Sequence, residues 1–413
     1  MNKILEKNIE LRNSWVGFFS VFIVLLVPFL AIYRSPIPSV DLGSFFIIVN
    51  LFILFIKGAL IQKFDIKEFL LWTVYMSLIC VSNLIGPTYD SFQGASYYWL
   101  RTLKYFIVIV FMLFLYFRRI FDLKLAIKWL NKLCMLATIF MFAQISLHYI
   151  LGYNLPGYIS AFCYSETYIS RAELLSETFS LQGYRPTSLF SEPAHYSSYV
   201  ILGIVASLFY GKERKDFNRA LLLTIGILFS TSGQGIVYAL IIWLIWLLPR
   251  RESSDLKQVL ARLFFLAIGI WLLYSFFNSA TGTFILERIL GNKHQGNAIE
   301  GRSLPYLNLI NGNIPFGVKL FGYGYGNVNL GIFYSSWAFN IWCLGIIGTI
   351  YCMVIYLFYF KRSRSRFSKI CLFLNIVMGV FTTSFMGNYM LLCFSFVLND
   401  YQYKIYSNSI LKR

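Results

Sequence analysis

The sequence predicts an all-α polytopic integral membrane protein: a single transmembrane domain over residues 1–413, with about twelve spanning helices and two long outer loops. Three observations carry that prediction. The first is composition, for 58% of the 413 residues are hydrophobic and 13% charged, where soluble domains run to about 45–50% and about 25%. The second is length, since the apolar residues fall in runs of about 17–25, enough for a helix to cross roughly 30 Å of hydrocarbon. The third is charge, because the net +18 is concentrated in the loops of one side. Together they exclude a soluble globular enzyme, a disordered chain and a disulfide-stapled secreted domain. Strands of about ten residues with dyad alternation, the mark of a transmembrane barrel, do not occur.

The chain starts basic and then runs apolar over 14–33, as a signal peptide does. Some twenty residues exceed a usual signal core, and no A-x-A site follows, so this stretch reads as a retained first helix. Further spans are predicted at 43–61, 69–86, 99–117, 131–151, 193–210, 220–231, 235–248, 259–278, 336–360, 370–385 and 388–399. Residues 220–248 would make one long helix only by placing Arg250, Arg251, Lys257 and Arg262 outside. A break over Ser230–Gly235, rich in helix-ending residues, returns them to the cytoplasm. The same reasoning breaks 370–399 near Thr382–Asn388. With both termini inside, the cytoplasmic segments hold 27 of the 36 lysines and arginines and 10 of the 18 acidic residues. That asymmetry is the one the positive-inside rule describes. The basic balance therefore reports orientation, and no nucleic-acid partner is implied.

Six of the seven cysteines lie in predicted spans, where they act as small hydrophobes. Cys163 alone falls in an outer loop, so no disulfide framework is expected. The three histidines, His148, His195 and His294, form no cluster with metal-ligand spacing, and neither a metal nor another cofactor is implied.

Two outer loops, 152–192 and 279–335, are long, and long ordered loops tend to be functional. The first ends in Arg185-Pro186-Thr187-Ser188-Leu189-Phe190-Ser191-Glu192-Pro193-Ala194-His195. Pro193 suits the first turn of a helix, and Glu192 before it meets the positive end of the helix dipole. Arg185, Glu192 and His195 thereby gather at a membrane boundary, where ionisable groups are functional candidates. Capping by Glu192 and an interfacial ring at His195 explain the spacing equally well. The second loop carries Arg302-Ser303-Leu304-Pro305-Tyr306, Lys319, and then Gly322-Tyr323-Gly324-Tyr325-Gly326-Asn327. No strand precedes these glycines, which rejects a dinucleotide fingerprint. An anion-binding nest of backbone N–H groups competes there with a tight re-entry turn. Arg101 and Lys104, one helical turn apart at the outer end of 99–117, are either a snorkelling pair or a contact to lipid phosphate. Gln144, polar within a span, has no partner identifiable from sequence.

This layout resembles the Wzy-type O-antigen polymerases, which share a superfamily with the O-antigen ligases. The resemblance rests on Arg185-Pro-x-Ser-x-Phe-x-Glu192-Pro193-x-His195 and on Arg302 followed by the Gly-x-Gly-x-Gly-Asn turn. It covers nearly the whole chain in layout but only about thirty residues in motif. It implies a fold like the membrane glycosyltransferases of the GT-C type, in the bacterial inner membrane, with the site at the periplasmic face. There a metal-independent enzyme would join undecaprenyl-pyrophosphate-linked oligosaccharide repeat units. Arg185 and Arg302 would bind pyrophosphate, His195 or Glu192 would serve as base, and Arg101, Lys104, Lys319, Gly322, Gly324, Gly326 and Asn327 would contact substrate. Such enzymes work beside a flippase and a chain-length regulator. Two other readings are a ligase, whose usual His-Asn pair is replaced here by Tyr334-Ser335-Ser336-Trp337, and a lipid-linked oligosaccharide flippase, which would rely on intramembrane charges instead of long loops.

Overall fold

The computed structural model describes residues 10–37, 40–57, 65–92, 94–163, 184–211, 213–247, 306–308, 312, 314–329, 334–363, 365–381 and 387–410, with 271, 274, 275 and 278. Among these residues the secondary structure is helical, with two isolated antiparallel bridges, Tyr33–Cys163 and Arg34–Asp41. The helices are α1 (Trp15–Leu30), α2 (Leu42–Ile56), α3 (Ile66–Ile85), α4 (Ala95–Arg118), α5 (Leu123–Leu151), α6 (Pro193–Val205), α7 (Arg214–Phe229), α8 (Gly233–Leu247), α9 (Phe316–Phe321), α10 (Ser336–Arg362), α11 (Arg366–Phe381) and α12 (Asn388–Ile410). All predicted spans but 259–278 overlap one of them, several helices running past the predicted bounds, as Leu123–Leu151 does past 131–151 and Asn388–Ile410 past 388–399; the segment 259–278 lies outside the described residues apart from 271, 274, 275 and 278. The short α9 falls inside a predicted loop.

Four described helices are long and apolar enough to cross a membrane: Ile66–Thr88, Ala95–Arg118, Leu123–Leu151 and Ser336–Arg362. Their outward faces stay apolar, with Leu84, Ile139 and Ile350 among the exposed side chains. A helix that is hydrophobic all round belongs in a core or in lipid, and among the described residues these faces are not covered. The chain is thus an all-helical protein with membrane-competent helices.

The chain divides into two compact units. One comprises Met1–Leu133, Tyr158–Gln182 and Pro305–Arg413; the other comprises Cys134–Gly157 and Gly183–Leu304.

In the first unit, side-chain oxygens of Ser14, Asp41, Asp65 and Ser335 accept the first-turn N–H groups of α1, α2, α3 and α10, satisfying donors a helix otherwise leaves open. The buried pair Ser20 and Asn50 joins α1 to α2, with Asn50 Nδ2 donating to Ser20 Oγ at 3.0 Å. Trp72 on α3 donates to Tyr359 Oη on α10 at 2.8 Å, and Phe394 of α12 meets both rings edge-on. At the far end of α10, Arg362 bonds Asp65 at 2.8 Å and the buried Glu68 at 2.7 Å. Burial pushes the Asp65 carboxyl up, but the hydrogen bond and charge of Arg362 outweigh it and hold the group below its ordinary range.

The second unit packs through small residues. A Cβ on Gly226 would lie 2.4 Å from Tyr196 Oη, and one on Gly235 would lie 2.4 Å from Ser197 Oγ. These glycines let α6, α7 and α8 approach closely, as glycine does in membrane bundles. Tyr196 Oη also pairs with Thr138 Oγ1 of α5 at 2.8 Å. The predicted break between α7 and α8 is present: Ser230 ends α7, and Thr231 turns the chain at φ +54°.

Candidate functional site

Each unit carries part of the predicted site. In the second unit, Glu192 is the residue before α6 and Pro193 occupies its first turn, as the spacing predicts. The capping role weighed for Glu192 is not seen, because its side chain makes no cap hydrogen bond. Its carbonyl instead accepts the N–H groups of His195 at 3.1 Å and Tyr196 at 3.2 Å. His195 is half-buried on the first turn, and its Nδ1 is 3.0 Å from Ser191 Oγ. That bond fixes ring orientation and couples the tautomer to the serine hydroxyl, so that either the Nδ1 or the Nε2 proton is stabilised.

What holds this segment lies in α5. Ser188 is buried with φ +55°, a left-handed conformation uncommon outside glycine. Gln144 Oε1 accepts the Ser188 N–H at 2.8 Å, Gln144 Nε2 donates to Leu155 O at 2.9 Å, and Ser188 Oγ donates to Ala137 O at 2.5 Å. Gly157 completes the seat, since a Cβ there would stand 1.9 Å from Ser188 O. Just upstream, the Tyr184 ring stacks on His148 with centroids 4.0 Å apart, and burial pushes its phenol up to about 12. Arg185, half-buried, follows directly between this stack and the clamped turn. The structure therefore brings Arg185, Glu192 and His195 onto one pinned segment. Arg302 lies outside the described residues, as do Arg171, Arg288 and Lys293.

In the first unit the glycine turn takes a specific course. Gly322, Gly324 and Gly326 have φ of +80°, +101° and +89°, values glycine alone tolerates readily. The turn is seated on a break in α10 at Gly345, where φ is +64°. That break frees the carbonyls of Trp342 and Cys343, which accept the N–H groups of Tyr323 at 2.9 Å and Gly324 at 3.1 Å. The Tyr325 N–H donates to Asn83 Oδ1 at 2.6 Å, and those of Asn327 and Val328 to Gly324 O and Gly326 O.

Of the two readings of these glycines, the tight turn agrees with the structure, because their N–H groups are bonded inside the fold. Asn327 is engaged likewise. Fully buried, its Nδ2 donates to Asp90 O and Tyr323 O, and its Oδ1 accepts the Phe92 N–H. It ties the turn to the loop before α4 and presents no polar atom to a substrate. Lys319 sits half-buried in the last turn of α9, where a cation complements the helix dipole.

Arg101 does meet the turn. A Cβ on Gly326 would come within 3.0 Å of Arg101 Cδ, so the glycine admits the arginine stem. Its guanidinium carbon is 5.4 Å from the Tyr97 ring and 5.8 Å from the Phe339 ring. Burial pushes the Tyr325 hydroxyl above the ordinary phenol range, and the Arg101 charge opposes that shift. Lys104 stands one turn further along α4, half-buried and in the field of Asp41.

Sequence reasoning singled out Gln144 without its partner and missed Ser191 and Asn83 as positioning residues. Polar character inside an apolar span was the available signal for Gln144 and Asn83, and the i to i+4 relation to His195 was the signal for Ser191. No family model, curated protein or solved structure matches this chain.

Proposed function

We propose that the protein is a polymerase of lipid-linked oligosaccharide repeat units, building O-antigen or a related surface polysaccharide. It would span the bacterial inner membrane about twelve times, with a GT-C-like fold, both termini cytoplasmic and the site periplasmic. The observation that carries this reading is the pinned segment from Arg185 to His195. An arginine, a carboxylate and an imidazole are held at the mouth of a helix by a buried clamp, in a chain whose helices suit a membrane. A hydroxyl of the next repeat unit attacks the anomeric carbon of the growing chain, and the bond to undecaprenyl pyrophosphate breaks. The hydroxyl proton passes to His195 or Glu192, residue types suited to general base work. The departing pyrophosphate takes the electron pair, and fixed donors stabilise its charge. Arg185 fits that task because a guanidinium fork binds phosphate bidentately and stays protonated; Arg302 is assigned the same task from the sequence motif.

The test is the lipopolysaccharide of a host strain lacking this chain. Loss of a polymerase leaves a single repeat unit on the lipid core, because flipping and ligation continue. A bare core would overturn the proposal in favour of a ligase or flippase. Arg185→Ala and Arg302→Ala at normal protein levels should each reproduce the single-unit pattern, with rates down about 10²–10³-fold as for other preorganised anion sites. A full ladder from both would remove the arginines from the mechanism.

A further inference from the structure

We propose that Arg101 is a lipid-phosphate ligand, taking a phosphate that arrives from the bilayer at head-group depth; this deepens the polymerase reading and rests on it only for the identity of the lipid. Arg101 is the seventh residue of α4, about 9 Å along the axis from its start, within one of the four membrane-competent helices. A cation at such a position requires a partner, because a charge in an apolar span is costly. Among the described residues, Arg362 pairs with Asp65 and Glu68, and Arg219 with Asp216. Arg101 has no carboxylate within ion-pair distance among the described residues; its guanidinium lies over the Tyr97 and Phe339 rings. Lys104 adds a like charge one turn away, and the field of Asp41 acts on Lys104. Among the described residues no carboxylate is paired with Arg101 itself.

The geometry also restricts the ligand. Gly326 and the two rings fix the arginine stem, so its planar donors are presented in a set orientation, and such a fork matches phosphate oxygens bidentately. Depth is set by the neighbouring aromatics. Tyr97 and Trp99 on α4 are 41% and 38% exposed, and amphipathic rings of this kind settle at head-group level. An anion met there is a lipid phosphate, from either a phospholipid head group or a polyprenyl pyrophosphate.

The experiment uses the full chain in phosphatidylcholine nanodiscs. Undecaprenyl pyrophosphate or phosphatidylglycerol is added, and bound lipid is counted by native mass spectrometry. Arg101→Gln should weaken binding of the phosphate lipid about 10- to 100-fold, the range expected for a lost charged hydrogen bond. Arg101→Lys should recover only part of it, and Lys215→Gln, altering an exposed ion pair with Glu213, should change nothing. Loss confined to undecaprenyl pyrophosphate assigns the substrate lipid, while equal loss of both lipids assigns a head-group phosphate; either supports the site. Wild-type binding of both lipids by Arg101→Gln and Arg101→Lys proteins that melt normally would overturn it. Arg101-dependent binding in a chain whose deletion leaves the polysaccharide ladder intact would retain the site and reject the polymerase.

Discussion

Gln144 is the most informative position to perturb, because it touches no residue assigned to chemistry yet holds the turn that carries them. Gln144→Leu preserves side-chain bulk while removing both ends of the amide. The Ser188 N–H, bonded at 2.8 Å and fully buried, loses its acceptor, at a cost of about 1–3 kcal/mol for an orphaned buried donor. Leu155 O loses its donor at 2.9 Å but is only half-buried, so water offsets part of that loss, leaving about 0.5–1.5 kcal/mol. The total, about 1.5–4.5 kcal/mol, falls on a turn whose Ser188 already occupies φ +55°, itself unfavourable by about 1–2 kcal/mol. The turn should therefore relax, and displacing a reactive group by about 1 Å can cost about 10² in rate. We expect the purified variant to melt somewhat lower and the null strain expressing it to show almost no ladder. Adding Ser188→Gly should recover melting temperature only in part, since glycine adopts this φ without strain but loses the Ser188 Oγ bond to Ala137 O, and it should not recover the ladder. A folded Gln144→Leu protein that restores a full ladder would refute the claim that this clamp positions the site.

Gly345→Ala should destabilise strongly, because φ is +64° and the new Cβ would meet Leu320 O at 2.4 Å; Gly94→Ala, with nothing within 4 Å, should be neutral in the same thermal melts. Arg362→Met strands the buried Glu68 without its counter-charge and should cost about 3–5 kcal/mol; adding Glu68→Gln should return most of it. Asp65, held below its ordinary range by Arg362, contributes stability that is complete above its unfolded value near about 3.9. That contribution is lost as pH falls through the lower folded value, so Asp65→Asn should flatten the acid limb of melting temperature against pH. His195→Ala and Glu192→Gln separate candidate bases: the one that takes the proton should abolish the ladder at normal protein level, and polymerisation retained in both would leave leaving-group stabilisation as the main catalytic term. For topology, Arg171→Cys and Arg302→Cys should react with an impermeant thiol reagent from outside, and Lys124→Cys and Arg364→Cys should not, in a background lacking Cys163; the reverse pattern would invert the proposed orientation.

What the sequence discloses is what repeats locally. Hydropathy places the helices, since an apolar run must bury its backbone polar groups within itself to enter lipid. The break at Ser230–Gly235 and the placement of Pro193 follow from turn and cap chemistry that acts within a few residues. The break at Gly345 is invisible to the same reading. A single glycine inside a strongly apolar run does not announce whether it continues the helix, and the reason it does not here is Gly322, twenty-three residues earlier, whose backbone fills the space.

The candidate site divides along the same line. The motif around Arg185 is local and legible; its support is not, because Gln144 reaches Ser188 across forty-four residues. The glycine turn shows the opposite failure. Its three glycines and asparagine have the composition of a ligand cradle, yet a cradle requires N–H groups left over after folding. Here Asn83, Trp342, Cys343 and the turn's own carbonyls take them first. Composition reports which donors exist, and only tertiary contacts report which are spent. By that criterion Arg101 is the informative cation of this unit, since the fold surrounds it with rings and a glycine and supplies it with no carboxylate among the described residues. Lys104 and Lys319 carry the same charge, but only at Arg101 do position, packing and electrostatic deficit coincide.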